Sequence, residues 1–143
     1  MIEDYLNEIK NKRDVRANLS RMRAALKQCE QEQRAGLLKE AQLFFALLCD
    51  SDPKVRKNTA LLLGDLSLQQ AAEPLFTAYR DETVRFVKSA YLKAMQNLDM
   101  SAYRKELERS FAALQKEVPQ EDEKKHTAEE LNELRRLVDD AGA

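Results

Sequence analysis

The chain has 143 residues, 43% of them hydrophobic, so it can form one domain with a continuous core but is too short for two ordinary domains. Its 24 basic and 25 acidic residues give a net charge of -1, so the overall charge neither favours nor excludes nucleic acid. The N-terminal segment is charged from its third residue, which argues against a secretion signal. The longest apolar run, 43–49, is far shorter than the ~20 residues of a membrane-spanning helix. We therefore expect a soluble cytoplasmic protein without a membrane partner.

The composition favours helix throughout the chain. Only three glycines and three prolines are present, while Ala, Leu, Glu, Lys, Arg and Gln dominate, and these side chains lose little conformational freedom in a helix. No stretch alternates between apolar and polar residues as a half-buried strand would, and no Asn-Gly or Asp-Gly hairpin turn occurs. The sequence therefore predicts an all-α protein of about eight helices.

The predicted helices follow from apolar residues at helical spacing. A short opening helix is marked by Ile2, Tyr5, Leu6 and Ile9, and further helices are expected at about 14–31, 34–49, 53–66, 71–80, 82–98 and 101–118 and after residue 127. The segment 34–49 is the most hydrophobic and is expected to be deeply buried.

Several helix ends carry their own signals. Asp14 is a candidate N-cap, and Asp52 followed by Pro53 is a cap with a first-turn proline. Pro74 is compatible with a helix if it lies in the first turn, where its missing N–H would have no partner. Thr127 with Glu130 has the spacing of a capping box, so the last helix is predicted to begin there.

An internal duplication organises the middle of the chain. A shift of 32 positions aligns residues 40–66 with 72–98 without a gap, and the matched positions include the apolar residues of both helices. A shift of 40 places residues 15–26 on 55–66, which suggests a third, diverged copy of the second helix. We therefore predict one domain over 1–143, an α-solenoid of stacked antiparallel helical hairpins. Its clearest repeats are 34–66 and 70–98, and residues 1–10 and 101–139 serve as end caps.

The duplicated segments resemble a known repeat. DSDPKVRKNTALLLGDL (50–66) resembles the second helix of a HEAT or HEAT-like repeat of the phycobilisome-lyase type, and AAEPLFTAYRDE (71–82) resembles the first. The resemblance covers residues 34–98. The second unit departs from the pattern at Gln96, where the family has glycine, and at Val84, where it has an acidic residue. The resemblance implies a HEAT-like superhelix.

A second resemblance concerns the order of the whole chain. This domain followed by KHTAEELNELRRLV (125–138) is similar to the N-terminal HEAT-like region of certain bacterial proteins that continue into an RNA methyltransferase domain. The resemblance implies that any methyl-donor site lies outside this chain, because no glycine-rich nucleotide loop is present.

Residues that could perform chemistry are few. His126 is the single histidine and lies in the charged connector 119–126, where we expect a surface side chain. Cys29 and Cys49 follow apolar helix faces, so we expect both thiols to be buried. The acidic groups 121–123, 129–130 and 139–140 have the pattern of solvated charge and helix starts. We therefore predict no enzyme, no catalytic residue, no cofactor, no metal and no small-molecule substrate.

The helical projections leave one face as the candidate binding site. Opposite the inner core, the second helices of the repeats present a basic stripe that contains two apolar residues. Its members are Lys54, Lys57, Leu61, Phe86, Ser89, Lys93 and, from the third copy, Arg21.

These residues are here called the second-helix stripe. They can also be interpreted as an ordinary solvated helix surface without a partner. Repeat stacks align such faces into extended surfaces that bind partners. An acidic or partly apolar peptide or protein surface would suit the stripe, so we predict an interaction module that binds a protein or peptide partner. The alternative is an RNA-recruiting domain of a larger RNA methyltransferase, in which Lys and Arg neutralise phosphates and Phe86 stacks on a base.

Overall fold

A computed structural model describes residues 1–141 of the chain. Within these residues the fold is all-α, as predicted, with nine α-helices and no strand. The helices are α1 (Ile2–Lys10), α2 (Val15–Leu26), α3 (Gln31–Leu38), α4 (Ala41–Leu47), α5 (Pro53–Asp65), α6 (Ala72–Asp81), α7 (Arg85–Met95), α8 (Arg104–Gln115) and α9 (Lys124–Ala141). Short 3-10 turns precede α6, α8 and α9.

The two proline signals are confirmed. Pro53 opens α5, and the Asp52 side chain accepts a hydrogen bond from the Lys54 amide at 2.9 Å, as an N-cap should. Pro74 lies in the first turn of α6, where it removes no helical hydrogen bond. These starts could be predicted because the chemistry that sets them is local.

The prediction of one continuous helix over 34–49 is wrong, because the structure has two helices there. The chain breaks at Lys39 and Glu40 into α3 and α4, which raises the number of helices to nine. Leu37, Ala41 and Phe44 are all buried, at a spacing that one continuous helix would also show. At the break, Glu40 accepts a hydrogen bond from Lys10 of α1 at 2.8 Å. Burial is also less complete than expected, because Leu43, Phe45 and Leu47 are only partly buried.

One predicted N-cap lies at the expected position without the expected hydrogen bond, and another is wrong. Asp14 immediately precedes α2, but it has a left-handed backbone with φ of 44° and its side chain makes no capping hydrogen bond. The last helix begins at Lys124 rather than near Thr127, so Thr127 and Glu130 lie inside α9. Both are buried there, because they face the neighbouring helices rather than the helix terminus.

The helices pack in pairs, and the pairs pack on one another through their second members. Within the pairs, α1 packs on α2, α4 on α5, α6 on α7 and α8 on α9. Between the pairs, α2 packs on α5, α5 on α7 and α7 on α9, and this series of four helices is here called the second-helix row. The start of α7 at Arg85 lies 32 positions after the start of α5 at Pro53, the shift at which the sequence aligns with itself. This order of contacts is compatible with the predicted α-solenoid.

The row is held together by close packing and ion pairs. A Cβ added at Gly64 in α5 would lie 2.7 Å from the Cα of Ala94, so α5 and α7 cross there at a distance that only glycine permits. Arg16 and Arg23 of α2 pair with Asp52 and Asp65 at the two ends of α5, each at 2.7 Å. The core side chains of the row, among them Leu62, Leu63, Tyr91, Leu92 and Leu134, are fully buried.

None of the helices within residues 1–141 combines the length and the apolar character needed to cross a lipid bilayer.

Candidate functional site

Two buried ion-pair networks fix the position of α7. In the first, both oxygens of the Glu82 carboxylate bind Arg56, with Nε–Oε1 at 2.8 Å and Nη2–Oε2 at 3.0 Å. The Tyr91 hydroxyl donates to the same carboxylate at 2.9 Å, and the Thr83 and Val84 amides donate at 3.1 and 3.0 Å. Glu82 therefore ties the start of α5 to the start of α7.

The second network joins α7 to α9 and α6. Glu130 accepts hydrogen bonds from Arg85 at 2.7 Å and from the Tyr79 hydroxyl at 2.6 Å, and its side chain is 2% exposed. Burial and the neighbouring Glu130 raise the pKa of Tyr79 above its ordinary value, so the phenol stays protonated and donates. The sequence-based interpretation of 129–130 as solvated charge is thus wrong for Glu130, because α9 turns this residue toward α7.

Five of the seven residues of the second-helix stripe line one small pocket between α5, α7 and α9. The pocket has a volume of about 130 Å³, and the five residues are Lys57, Leu61, Phe86, Ser89 and Lys93. They come together because residues three and four apart share a face of a helix and because α5 and α7 pack side by side. This cavity is here called the basic pocket.

The other two stripe residues lie outside the basic pocket. Lys54 is exposed one turn before Lys57 on α5, and Arg21 is exposed on α2, where it donates a hydrogen bond to Asn18 at 3.1 Å. Ser89 was predicted to be exposed, but only 3% of it is accessible, because α9 packs against this side of α7. The exposed surface of the second-helix stripe is therefore smaller than the helical projections predicted.

α9 adds two residues to the basic pocket that the sequence did not place there. His126 and Glu129 also line it, with 3.8 Å between Nδ1 of the imidazole and the Glu129 carboxylate. The Phe86 ring is half-buried, and its centroid lies 6.3 Å from that of His126. Sequence reasoning missed His126 and Glu129 as pocket residues because their positions depend on α9, which begins at Lys124, three residues before the predicted cap.

The polar groups of the basic pocket have spare hydrogen-bonding capacity. Lys57 and Lys93 make no ion pair with any residue of 1–141. The Ser89 hydroxyl and Nδ1 of His126 are buried without a hydrogen-bond partner among the same residues. Two ammonium groups against the single Glu129 carboxylate leave a positive excess. The pocket can thus attract an anionic group, while Leu61 and Phe86 offer apolar contact.

A larger cleft lies elsewhere on the molecule, between the first helices of two pairs. It measures about 490 Å³ and runs between α4 and α6. Its lining comprises Phe45, Leu48, Cys49, Asp50, Arg56, Glu73, Pro74, Thr77, Ala78, Asp81, Glu82, Thr83 and Tyr91. Sequence reasoning missed this cleft, here called the α4–α6 groove, because it depends on the spacing between two helices.

Within the described part of the chain, the cysteines and the carboxylates do not cluster as metal ligands would. Cys49 is exposed and Cys29 is half-buried, so the expectation that both thiols are buried is wrong. Cys49 lies beyond the last residue of α4 and lines the α4–α6 groove. Within residues 1–141 no group of three or more His, Cys, Asp or Glu side chains is placed to hold a metal ion.

No protein-family model, curated protein or solved structure matches this chain significantly, so the resemblance to HEAT-like repeats remains an inference from its own residues.

Proposed function

We propose that the chain is a non-catalytic, HEAT-like interaction module that binds an acidic, partly apolar segment of a partner protein on the second-helix row. The observation that carries this proposal is the convergence of five stripe residues in the basic pocket. The repeat pattern and the helical projections predicted these residues on one face, and three different helices enclose the cavity that they line.

The size of the basic pocket favours a side chain over a free small molecule. Sites for small molecules usually measure about 300–1,000 Å³, whereas the basic pocket has about 130 Å³. This volume suits one carboxylate or one branched apolar side chain. Flanking residues of the partner would then lie along α5 and α7, where Lys54 and Lys93 are exposed.

The chemistry of the lining specifies the partner segment further. Lys57 and Lys93 attract carboxylates, and the unpartnered Ser89 hydroxyl could donate to one after a rotation about its Cα–Cβ bond. Leu61 and the half-buried Phe86 provide apolar contact for a neighbouring side chain. A peptide in which Asp or Glu stands beside Leu, Ile or Phe satisfies both requirements.

The alternative is that the same surface recruits RNA for a larger RNA methyltransferase. Lysines that make no ion pair, next to an aromatic ring, are the groups that would neutralise phosphates and stack on a base. The position of His126 weighs against RNA, because its imidazole already lies beside the Phe86 ring and leaves less of that ring free to stack on a base.

A salt titration separates the two. Binding of a generic structured RNA hairpin is measured by fluorescence anisotropy at about 50 mM and 200 mM salt, with an affinity change of about 10³-fold or more expected if six or more phosphates are contacted. The proposal predicts no measurable RNA binding even at the lower salt. Tight, steeply salt-dependent binding that is abolished by Lys57→Glu with Lys93→Glu would make RNA recruitment the function instead. The exposed residues Lys105 and Lys116 provide a charge-matched control pair.

A further inference from the structure

The α4–α6 groove exists because two first helices are held apart. α4 packs on α5 and α6 packs on α7, but α4 and α6 make at most marginal contact with each other. Besides the two acidic residues Glu73 and Asp81, α6 contributes only the small side chains of Pro74, Thr77 and Ala78, which do not fill the gap. The result is an open cleft of about 490 Å³ that the basic pocket does not share.

The floor of the groove is preorganised. Glu82 is held there by Arg56, by the Tyr91 hydroxyl and by two backbone amides, at distances between 2.8 and 3.1 Å. The charges of Arg56 and Glu82 offset each other, and neither side chain can move without breaking several hydrogen bonds. The floor therefore offers a fixed shape with no net charge.

The rim of the groove is acidic. Asp50, Glu73 and Asp81 surround the opening, and none of these carboxylates forms an ion pair within residues 1–141. The wall opposite α6 is apolar, with Leu48 buried and Phe45 half-buried. Apolar walls under uncompensated negative charge complement a ligand that has an apolar stem and a cationic end.

We propose that the α4–α6 groove binds a basic segment of a partner protein, with arginine or lysine side chains whose methylenes pack on Phe45 and Pro74 and whose charged ends reach the rim carboxylates. A volume of about 490 Å³ accommodates more than one such side chain. The basic pocket and the groove have opposite charge and share no lining residue, so an acidic segment suits the first and not the second. This site is independent of the acidic-segment function proposed above.

Cys49 is a probe already located in the groove. Its thiol is exposed, and a Cys29→Ser variant leaves it as the single cysteine. The rate of modification of Cys49 is compared between a cationic and an anionic methanethiosulfonate reagent, with the same protein unfolded in urea as reference. A field focused by a charged cleft raises local counter-ion concentration by 10-fold or more. The folded protein should therefore prefer the cationic reagent by about 10-fold relative to the unfolded chain.

Removal of the rim charge should remove this preference. In Glu73→Gln with Asp81→Asn, the ratio of the two rates should fall most of the way to that of the unfolded chain. Asp139→Asn with Asp140→Asn changes the net charge equally on the exposed end of α9 and should leave the ratio as it was. Equal ratios in all folded variants would show that the groove has no focused field and would overturn the proposal.

Peptide protection then tests the occupant. Alkylation of Cys49 by neutral iodoacetamide is followed with a peptide of alternating Arg and Leu, and with a peptide of alternating Glu and Leu. The proposal predicts that the Arg-Leu peptide slows alkylation several-fold, that the Glu-Leu peptide does not, and that Glu73→Gln with Asp81→Asn abolishes protection. No protection by the Arg-Leu peptide, or equal protection by both peptides, contradicts it. Lys57→Glu with Lys93→Glu should leave this result unchanged, so its outcome is separate from that of the proposed function.

Discussion

The guanidinium of Arg56 binds both carboxylate oxygens of Glu82, at 2.8 and 3.0 Å, and thereby joins the first turn of α5 to the turn that begins α7. The Glu82 side chain is 3% exposed and that of Arg56 is 16% exposed, so water screens this pair little. The Tyr91 hydroxyl donates to the same carboxylate from inside α7. The relative position of α5 and α7, and with it the basic pocket, depends on this contact.

Replacement of Glu82 should therefore be strongly destabilising. Glu82→Ala leaves Arg56, the Tyr91 hydroxyl and two amides without their acceptor, and breaking a buried pair in this way costs about 3–5 kcal/mol. Urea denaturation followed by circular dichroism measures the loss. Glu73→Ala on exposed α6 surface is the control and should change the free energy of unfolding by about 0.5 kcal/mol or less. Similar losses in the two variants would mean that the Arg56–Glu82 pair does not join α5 and α7.

The Glu82 carboxylate should also make the free energy of unfolding depend on pH. Burial acts to raise the pKa of Glu82, but the hydrogen bonds from Arg56, the Val84 amide and Tyr91 outweigh it and lower the pKa below its ordinary 4.5. A lowered folded-state pKa contributes stability above pH 4.5, and that stability is lost as pH falls through the folded-state value. The free energy of unfolding should thus fall more steeply below pH 4.5 in the wild type than in Glu82→Gln. Parallel slopes would contradict this assignment.

The two glycines of the helices should respond in opposite directions to alanine. Gly64→Ala places a Cβ 2.7 Å from the Cα of Ala94, so α5 and α7 must separate, at a cost of about 1–3 kcal/mol. Gly36 in α3 has no atom within 4 Å of the equivalent position, and Gly36→Ala should stabilise by about 0.5–1 kcal/mol through helix propensity. The melting temperature should fall for Gly64→Ala and rise for Gly36→Ala. A rise for Gly64→Ala would exclude the close crossing of α5 and α7.

Adjacent glutamates of α9 should differ sharply. Glu130→Ala removes the buried acceptor of Arg85 and Tyr79 and should cost about 3–5 kcal/mol, since it leaves the Tyr79 hydroxyl without a partner and the Arg85 guanidinium with only the exposed Glu117. Glu129 is partly exposed, and Glu129→Ala should change stability by about 0.5 kcal/mol or less. Chemical denaturation of the two variants makes the comparison. If the order is reversed, the orientation of α9 is wrong.

These glutamates show where sequence reasoning succeeds and where it stops. Composition and apolar spacing were sufficient for the all-α class, and the local chemistry of Asp52 and Pro53 was sufficient for the start of α5. Helical spacing places Glu130 on the face of Leu134 and Leu137, but the partners that Glu130 meets there, Arg85 and Tyr79, depend on how α9 packs against α7 and α6. The break between α3 and α4 was missed for a related reason, because Leu37, Ala41 and Phe44 keep the spacing of a continuous helix.

The candidate binding sites also have a part that the sequence predicted and a part that it did not. The 32-residue duplication aligned α5 with α7 and thereby selected Lys57, Leu61, Phe86 and Lys93, which line one pocket. His126 and Glu129 come from a helix outside the duplication, and the α4–α6 groove arises from a gap between helices. A repeat pattern predicts which residues occupy equivalent positions, but not what a neighbouring element adds or leaves open.

The most direct measurement of the proposed function is the affinity of a selected peptide for wild type and for charge-reversed protein. Peptides from a random phage-displayed library are selected on wild type, and the enriched sequence is titrated by isothermal calorimetry. We expect Asp or Glu beside Leu, Ile or Phe in the enriched sequence. Lys57→Glu with Lys93→Glu should weaken binding by about 10-fold or more, since like charges placed against a partner cost several kcal/mol, and Lys105→Glu with Lys116→Glu should not. No enrichment of acidic peptides, or an affinity of the acidic peptide that is equal in all three proteins, would contradict the assignment of this face as the binding surface.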